Sequence, residues 1–237
     1  MKSCVLRRKR VYIPTSTDEL CDFIVAQNNP VVVSLNAECL LREDSELDCV
    51  INEGIGYPDG IGCVMLLKLR GFRNAIKIPG VELWLTFLRR GTQRVFLIGG
   101  TQESIGTTQK VFVREFGRKR LVGYSNGFFA TVAQKEALFS AVRQARPEVV
   151  VIGMGQPKQE MLAQELRVIQ PAVYLCVGGS LDVYSGLVKR APRWLIDIGL
   201  EWLYRLVVDP RRIGRYIRLL RFGAVFWEEA LQKVRLS

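Results

Sequence analysis

The residues best suited to chemistry lie in the stretch EVVVIGMGQPKQE, residues 148–160. Val149, Val150, Val151 and Ile152 are apolar and β-branched, as a buried strand requires. Gly153 and Gly155 follow and let the backbone turn tightly with no side chain blocking a close approach. Pro157 stands where a helix would begin, a position that tolerates its missing N–H. Strand, glycine turn and helix start would aim N–H groups and the positive end of a helix dipole at one place, which suits the diphosphate of a nucleotide sugar. The same residues also fit an ordinary strand-to-helix turn. Two more glycine pairs, Gly99-Gly100 and Gly178-Gly179, close predicted strands at 94–98 and 172–177.

The surrounding periodicity says what positions these turns. Further strands are predicted at 31–35, 121–124 and near residue 11. Helices are predicted at 37–51, 61–69, 81–90, 102–116, 131–146 and 158–169. A helix before residue 30 would be capped by Thr17 or Asp18. Residues 54–60 and 77–80 are expected to be loops, rich in Gly and Pro. Strands alternating with helices predict an α/β fold, Rossmann-like, with a mostly parallel sheet and flanking helices. Ligands of such sheets bind beyond the carboxyl ends of the strands.

From Trp194 the pattern is helical only, so the chain divides into a core, 1–193, and an appendage, 194–237. Ile213, Ile217, Leu220, Ala224, Trp227 and Leu231 form an apolar stripe beside Arg211, Arg215 and Arg218. Two readings fit: a helix packed on the core with a solvated charged face, or a helix lying on an anionic membrane surface. The accompanying aromatic residues, Phe226 and Trp227 among them, favour the second.

Composition narrows the chemistry. The 237 residues carry a net charge of +11. Residues 1–10 hold five Lys or Arg and no acid, residues 186–237 hold eleven against five acids, and the body between is neutral. Basic ends suggest an anionic partner, a membrane surface or a polyanion. No histidine is present, which excludes Ser-His-Asp and Cys-His hydrolases and leaves a carboxylate, lysine, tyrosine or cysteine as any general base. The six cysteines form no C-x-x-C pair and read as reduced core residues rather than zinc ligands. The basic start lacks a following apolar region, so no secretory signal is expected, and no apolar run reaches the roughly 18 residues of a membrane span.

The motifs SLNAE (34–38), PDGIG (58–62), IPGVELW (78–84), FLIGG (96–100), GQPKQE (155–160), GGSLDVYSG (178–186), KRAPRW (189–194) and GLEWLYRL (199–206) occur in this order. Together they resemble the WecG/TagA/CpsF glycosyltransferases, glycosyltransferase family 26, and most closely the members that transfer N-acetylmannosaminuronic acid. The resemblance implies an inverting transfer of that sugar, N-acetylmannosamine or a related hexose from a UDP-sugar to a polyprenyl-diphosphate-linked sugar, in cell-surface polysaccharide synthesis. It implies no metal and no cofactor, at the cytoplasmic face of the membrane. It assigns Asp59 as general base and Arg205, Arg212 and Arg215 as neutralisers of the leaving diphosphate. Ser34 and Asn36 would lie near a sugar, Gln159 and Glu160 near the substrates, and Asp182 near the uridine. Lys77 stands where the family often has arginine, and Phe128 where it often has tyrosine. Taken alone, Asp59-Gly60 is also a common turn.

Rival readings are a non-catalytic nucleotide-sugar-binding protein and a basic nucleic-acid-binding module. The second lacks any helix-turn-helix, zinc-finger or aromatic RNA-binding signature, so no nucleic acid is expected as a partner. The sequence leaves the oligomeric state open, a homo-oligomer included.

Overall fold

The computed structural model describes residues 1–189, 191–192, 195, 203–204, 222–227 and 229. The first two strands, β1 (Ser3–Leu6) and β2 (Lys9–Tyr12), form an antiparallel hairpin. Then come α1 (Thr17–Val25), β3 (Val31–Leu35), α2 (Ala37–Leu41), α3 (Ser45–Glu53), β4 (Ile55–Pro58), α4 (Ile61–Leu69) and α5 (Gly80–Arg89). The second half runs β5 (Val95–Gly99), α6 (Gln102–Phe116), β6 (Leu121–Ser125), α7 (Val132–Ala145), β7 (Val149–Gly153), α8 (Lys158–Ile169), β8 (Val173–Cys176) and α9 (Ser180–Tyr184).

Polar residues start the helices where local chemistry asks for them. Ser16, Asn36, Asp44, Thr101 and Thr131 each accept a hydrogen bond from the backbone N–H three residues on, which satisfies a donor the helix itself leaves open. Two expectations change as a result. Ser16, not Thr17 or Asp18, caps the first helix. The predicted helix 37–51 is two helices, because Arg42 is extended and Asp44 starts the second by accepting from Leu47 N–H at 3.1 Å.

Strands β3 to β8 form one parallel sheet in the order β4-β3-β8-β7-β5-β6. Side chains alternate between two apolar layers. Val31, Val33, Phe96, Ile98, Val150, Ile152 and Tyr174 face one layer, with residues of α2, α3, α4, α7 and α8. Val32, Val95, Leu97, Val149, Val151 and Leu175 face the other, with α1, α5, α6 and α9. Each such aliphatic side chain contributes roughly 1.5–3 kcal/mol when fully buried. Helices on both faces leave only the strand ends open to a ligand.

The direction of the connections picks out one place along those ends. From β5 the chain moves to the sheet edge at β6, and from the adjacent β7 it moves the other way to β8. Their divergence opens a crevice between the β5 and β7 termini, where Gly99-Gly100 and Gly153 to Gly155 lie.

Strand β4 lies in a stretch expected to be loop. Gly56 hides it, yet packing requires that glycine: an added Cβ would meet the Arg10 carbonyl oxygen at 2.4 Å. The basic N-terminus is also altered by folding. Lys9 is buried, with its ammonium 2.7 Å from both Asp48 and the Arg42 carbonyl oxygen, so it adds nothing to a basic surface.

Part of the appendage packs on the core. Residues 222–227 are helical, Val225 is buried, and Phe222 and Phe226 are partly buried against the first apolar layer. Glu229 forms a two-point fork with Arg70 at 2.6 and 2.7 Å. Phe226, expected as a membrane anchor, therefore serves the core, whereas Trp227 remains 68% exposed. The arginines at 205, 211, 212, 215 and 218 lie outside the described residues.

Close approach of neighbouring strands sets a limit on substitution. A Cβ on Gly99, whose φ is +147°, would sit 2.3 Å from the Gly153 carbonyl oxygen. Gly99→Ala should therefore cost roughly 1–3 kcal/mol, read as a lowered melting temperature. An unchanged melting temperature would show that the strands can part.

Candidate active site

At one end of the carboxyl edge, Asp59 follows β4. Its N–H donates to the Leu35 carbonyl oxygen at 3.1 Å, tying the turn to β3. Its carboxylate Oδ1 accepts from the Gly80 N–H at 3.2 Å, so a charged oxygen faces the start of α5. The carbonyl of Pro58 accepts from Ile78 N–H at 2.9 Å, which brings the loop carrying Lys77 alongside. Gly80 is enclosed: a Cβ there would stand 3.3 Å from Ser180 Oγ, 3.4 Å from the Tyr57 hydroxyl and 3.7 Å from Asp59 Oδ2. The turns after β4 and β8 thus meet at the α5 terminus.

Beside Asp59, the end of β3 presents Ser34 and Asn36. Asn36 Oδ1 accepts from Cys39 N–H at 2.9 Å, and a Cβ on Gly60 would come within 3.1 Å of the Asn36 Cβ. The Ser34 carbonyl accepts from the Gln156 side-chain amide at 2.9 Å, which links this corner to the turn after β7.

The centre is organised by Gln159, which is 1% exposed. Its Oε1 accepts from Gly178 N–H at 2.9 Å and from Gly155 N–H at 3.2 Å, and its Nε2 donates to Glu160 Oε1 at 2.7 Å. One amide thereby holds the turns after β7 and β8 together. Gly155 and Gly178 have φ of +79° and +55°, a conformation that glycine adopts without strain. The Gly100 N–H donates to Gly153 O at 3.3 Å. Three glycine N–H groups of these turns are therefore engaged inside the protein, that of Gly155 in the expected anion turn among them.

Gln159 and Glu160 accordingly position the site from beneath. Glu160 has no exposed surface, and its Oε2 has no hydrogen-bond partner among the described residues. Burial pushes its carboxyl up from the ordinary range, against the opposing pull of the Gln159 hydrogen bond. Asp182 accepts a short hydrogen bond from Ser104 Oγ and lies beside Gly100, whose Cβ would be 3.4 Å from its Oδ1. Gly179 is open, with nothing near an added Cβ. Next to the crevice lies a cleft of about 740 Å³ lined by Phe128, Phe129, Met154, Pro157, Lys158 and Met161 among others.

Burial also removes competitors for a general base. It pushes the Cys39 thiol up to about 12 and raises Cys63 and Cys176 as well. It holds the Tyr57 phenol well above its usual value, with the Asp59 charge adding to the effect. Glu160 is out of reach of a solute. Asp59 is half-buried at the carboxyl edge, as are Glu38 and Asp182 in the first turns of the helices after β3 and β8. Ser104, Gln156 and Ser180 escaped sequence reading because each acts through a partner distant in the chain. Among the described residues no group of three His, Cys, Asp or Glu is arranged to hold a metal.

A parallel sheet with helices on both faces, a glycine-lined crevice and a carboxylate at its carboxyl edge defines a Rossmann-like α/β protein whose ligand site lies at that edge. The Glycosyl transferase WecG/TagA/CpsF family model matches residues 8–236, and the chain belongs to that family. It is thus a glycosyltransferase, and the family implies a nucleotide-sugar donor and a sugar acceptor. No helix among the described residues is long and apolar enough to cross a membrane.

The buried carboxylate yields a pH-dependent test. Unfolded, Glu160 ionises near 4.5; folded, its pKa is raised. The folded state therefore loses stability as pH climbs from about 4.5 through the raised value. The neutral Glu160→Gln variant lacks this loss. Its melting temperature relative to wild type should rise between pH 4.5 and pH 7.5, and a difference independent of pH would refute the assignment.

Proposed function

We propose that the chain transfers a hexose, N-acetylmannosaminuronic acid or a close relative, from a UDP-sugar to a sugar carried on polyprenyl diphosphate, with inversion and without a metal. The observation that carries the reading is the separation between Asp59 and the glycine crevice along one edge. Strands stand about 4.8 Å apart, so β4 and β7 are three intervals, or roughly 14 Å, apart. That span accommodates an acceptor sugar at Asp59 and a donor whose diphosphate lies toward Gly153 and Gly155.

In this reading Asp59 takes the proton of the acceptor hydroxyl as its oxygen attacks the anomeric carbon. The bond from that carbon to the diphosphate oxygen breaks on the opposite side, and UDP departs with the electron pair. General-base help of this kind contributes roughly 10²–10⁴-fold. Arg205, Arg212 and Arg215 receive the developing charge, a role supported by the internal engagement of three glycine N–H groups. Asp182 addresses the uridine, and Ser34, Asn36 and Lys77 address the sugars. Synthesis of a cell-surface polysaccharide on the inner face of the membrane fits this acceptor.

Asp59→Asn separates chemistry from architecture, because the amide oxygen can still accept from Gly80 N–H. The variant should bind UDP as wild type does and lose at least about 10²-fold in kcat. Near wild-type turnover on a good acceptor would remove Asp59 from the mechanism. Activity should also persist in excess EDTA. Loss in EDTA, restored by Mg²⁺ or Mn²⁺, would replace the arginines by a metal.

A further inference from the structure

Helix α4 begins two residues after Asp59 and exposes an unusual face. Ile61 is 40% exposed and Met65 42%, and Lys68 continues the same side at the next turn. Between Gly60 and Val81 the chain carries four Lys or Arg, Arg73 among them, and no acidic residue. The terminal helical segment lies alongside. A Cβ on Gly62 would meet the Phe222 ring at 2.8 Å, and Arg70 grips Glu229. Gly62 and Arg70 are eight positions apart, and Phe222 and Glu229 are seven. At 1.5 Å per residue the two stretches match, so the helices run side by side in the same direction. Both pack on one apolar layer, which turns their outer faces the same way. Ala224 and Trp227 are exposed on the second helix, as Ile61 and Met65 are on α4.

We infer that this two-helix face is the core's own contact with an anionic lipid surface, with Ile61, Met65 and Trp227 entering the headgroup region and Lys68 and Arg73 meeting lipid phosphates. The inference rests on the lipid-linked acceptor proposed above, and it locates the contact on α4 in addition to the basic appendage. Exposed apolar side chains flanked by cations match an interfacial helix. A second copy of the chain fits less well, because a self-complementary contact would bring like charges together. With the contact on α4, the bilayer lies beside the turn bearing Asp59. The acceptor's sugar would then reach the carboxylate while its lipid stays in the membrane.

The test is co-sedimentation of the full chain with vesicles of equal phosphatidylglycerol and phosphatidylcholine at 0.1 M salt. Wild type should bind. Lys68→Glu with Arg73→Glu should weaken binding by more than tenfold, since each cation near such a surface contributes about fivefold. Ile61→Glu with Met65→Glu should weaken it comparably. Val168→Glu, at an 83% exposed apolar residue on α8, should bind as wild type does. Matching melting temperatures would establish folding, and the charge-reversal pair keeps the test valid if the apolar pair misfolds. Wild-type binding by both double variants would overturn the α4 contact and leave membrane attachment through the appendage intact. Absence of wild-type binding would overturn the contact as well, and transfer to a water-soluble acceptor would then judge the proposed reaction separately. A wild-type dimer abolished by Ile61→Glu with Met65→Glu would assign the face to a second copy instead.

Discussion

The amide of Gln159 holds the site together. Its oxygen accepts two backbone N–H groups from different turns, and its nitrogen meets a buried carboxylate. The link to Glu160 lies wholly inside the protein, where a polar group left without a partner costs about 1–3 kcal/mol, and the two links to the glycine turns are part-buried. The glycine turns can then stand open because their geometry is set from below. The same links withdraw these N–H groups from the crevice. This arrangement differs from a phosphate-binding loop, in which the N–H groups face the ligand. In the proposed reaction the charge of the leaving diphosphate is assigned to arginines toward the C-terminus.

Much of the fold was legible because strands and helices carry their periods openly. Val149 to Ile152 reads as a strand in any α/β context, and helices 102–116 and 158–169 have the predicted bounds. β4 was not legible, since its residues Ile-Gly-Tyr-Pro look like a turn until the Arg10 carbonyl of the neighbouring hairpin explains the glycine. The break at Arg42 was equally hidden: Leu40, Leu41 and Leu47 keep helical spacing across it, and only the capping by Asp44 reveals two helices.

The site was legible in its parts and not in its connections. The glycine pairs fall at predicted strand ends, where local pattern already points, whereas Asp59 lies in a stretch that reads as loop and is singled out by the motif resemblance. The use made of Gln159 was hidden, because a buried amide and a ligand-binding amide look alike in a motif. Net charge misled in a similar way. Lys9 counts toward a basic terminus in the sequence, yet in the fold it lies against Asp48 beneath the surface. A cation's contribution to binding depends on whether folding leaves it facing solvent.

The ion pair between Arg70 and Glu229 joins positions 159 residues apart. Closing so long a loop in an unfolded chain is entropically unfavourable, and the cost grows with the logarithm of loop length. Local contacts offset that cost: Phe222 and Phe226 pack on the first apolar layer, and Val225 is buried. The two ends of the sequence order thus share one wall, and the flank of the helix that follows the proposed base is supplied by residues more than 150 positions further along the chain.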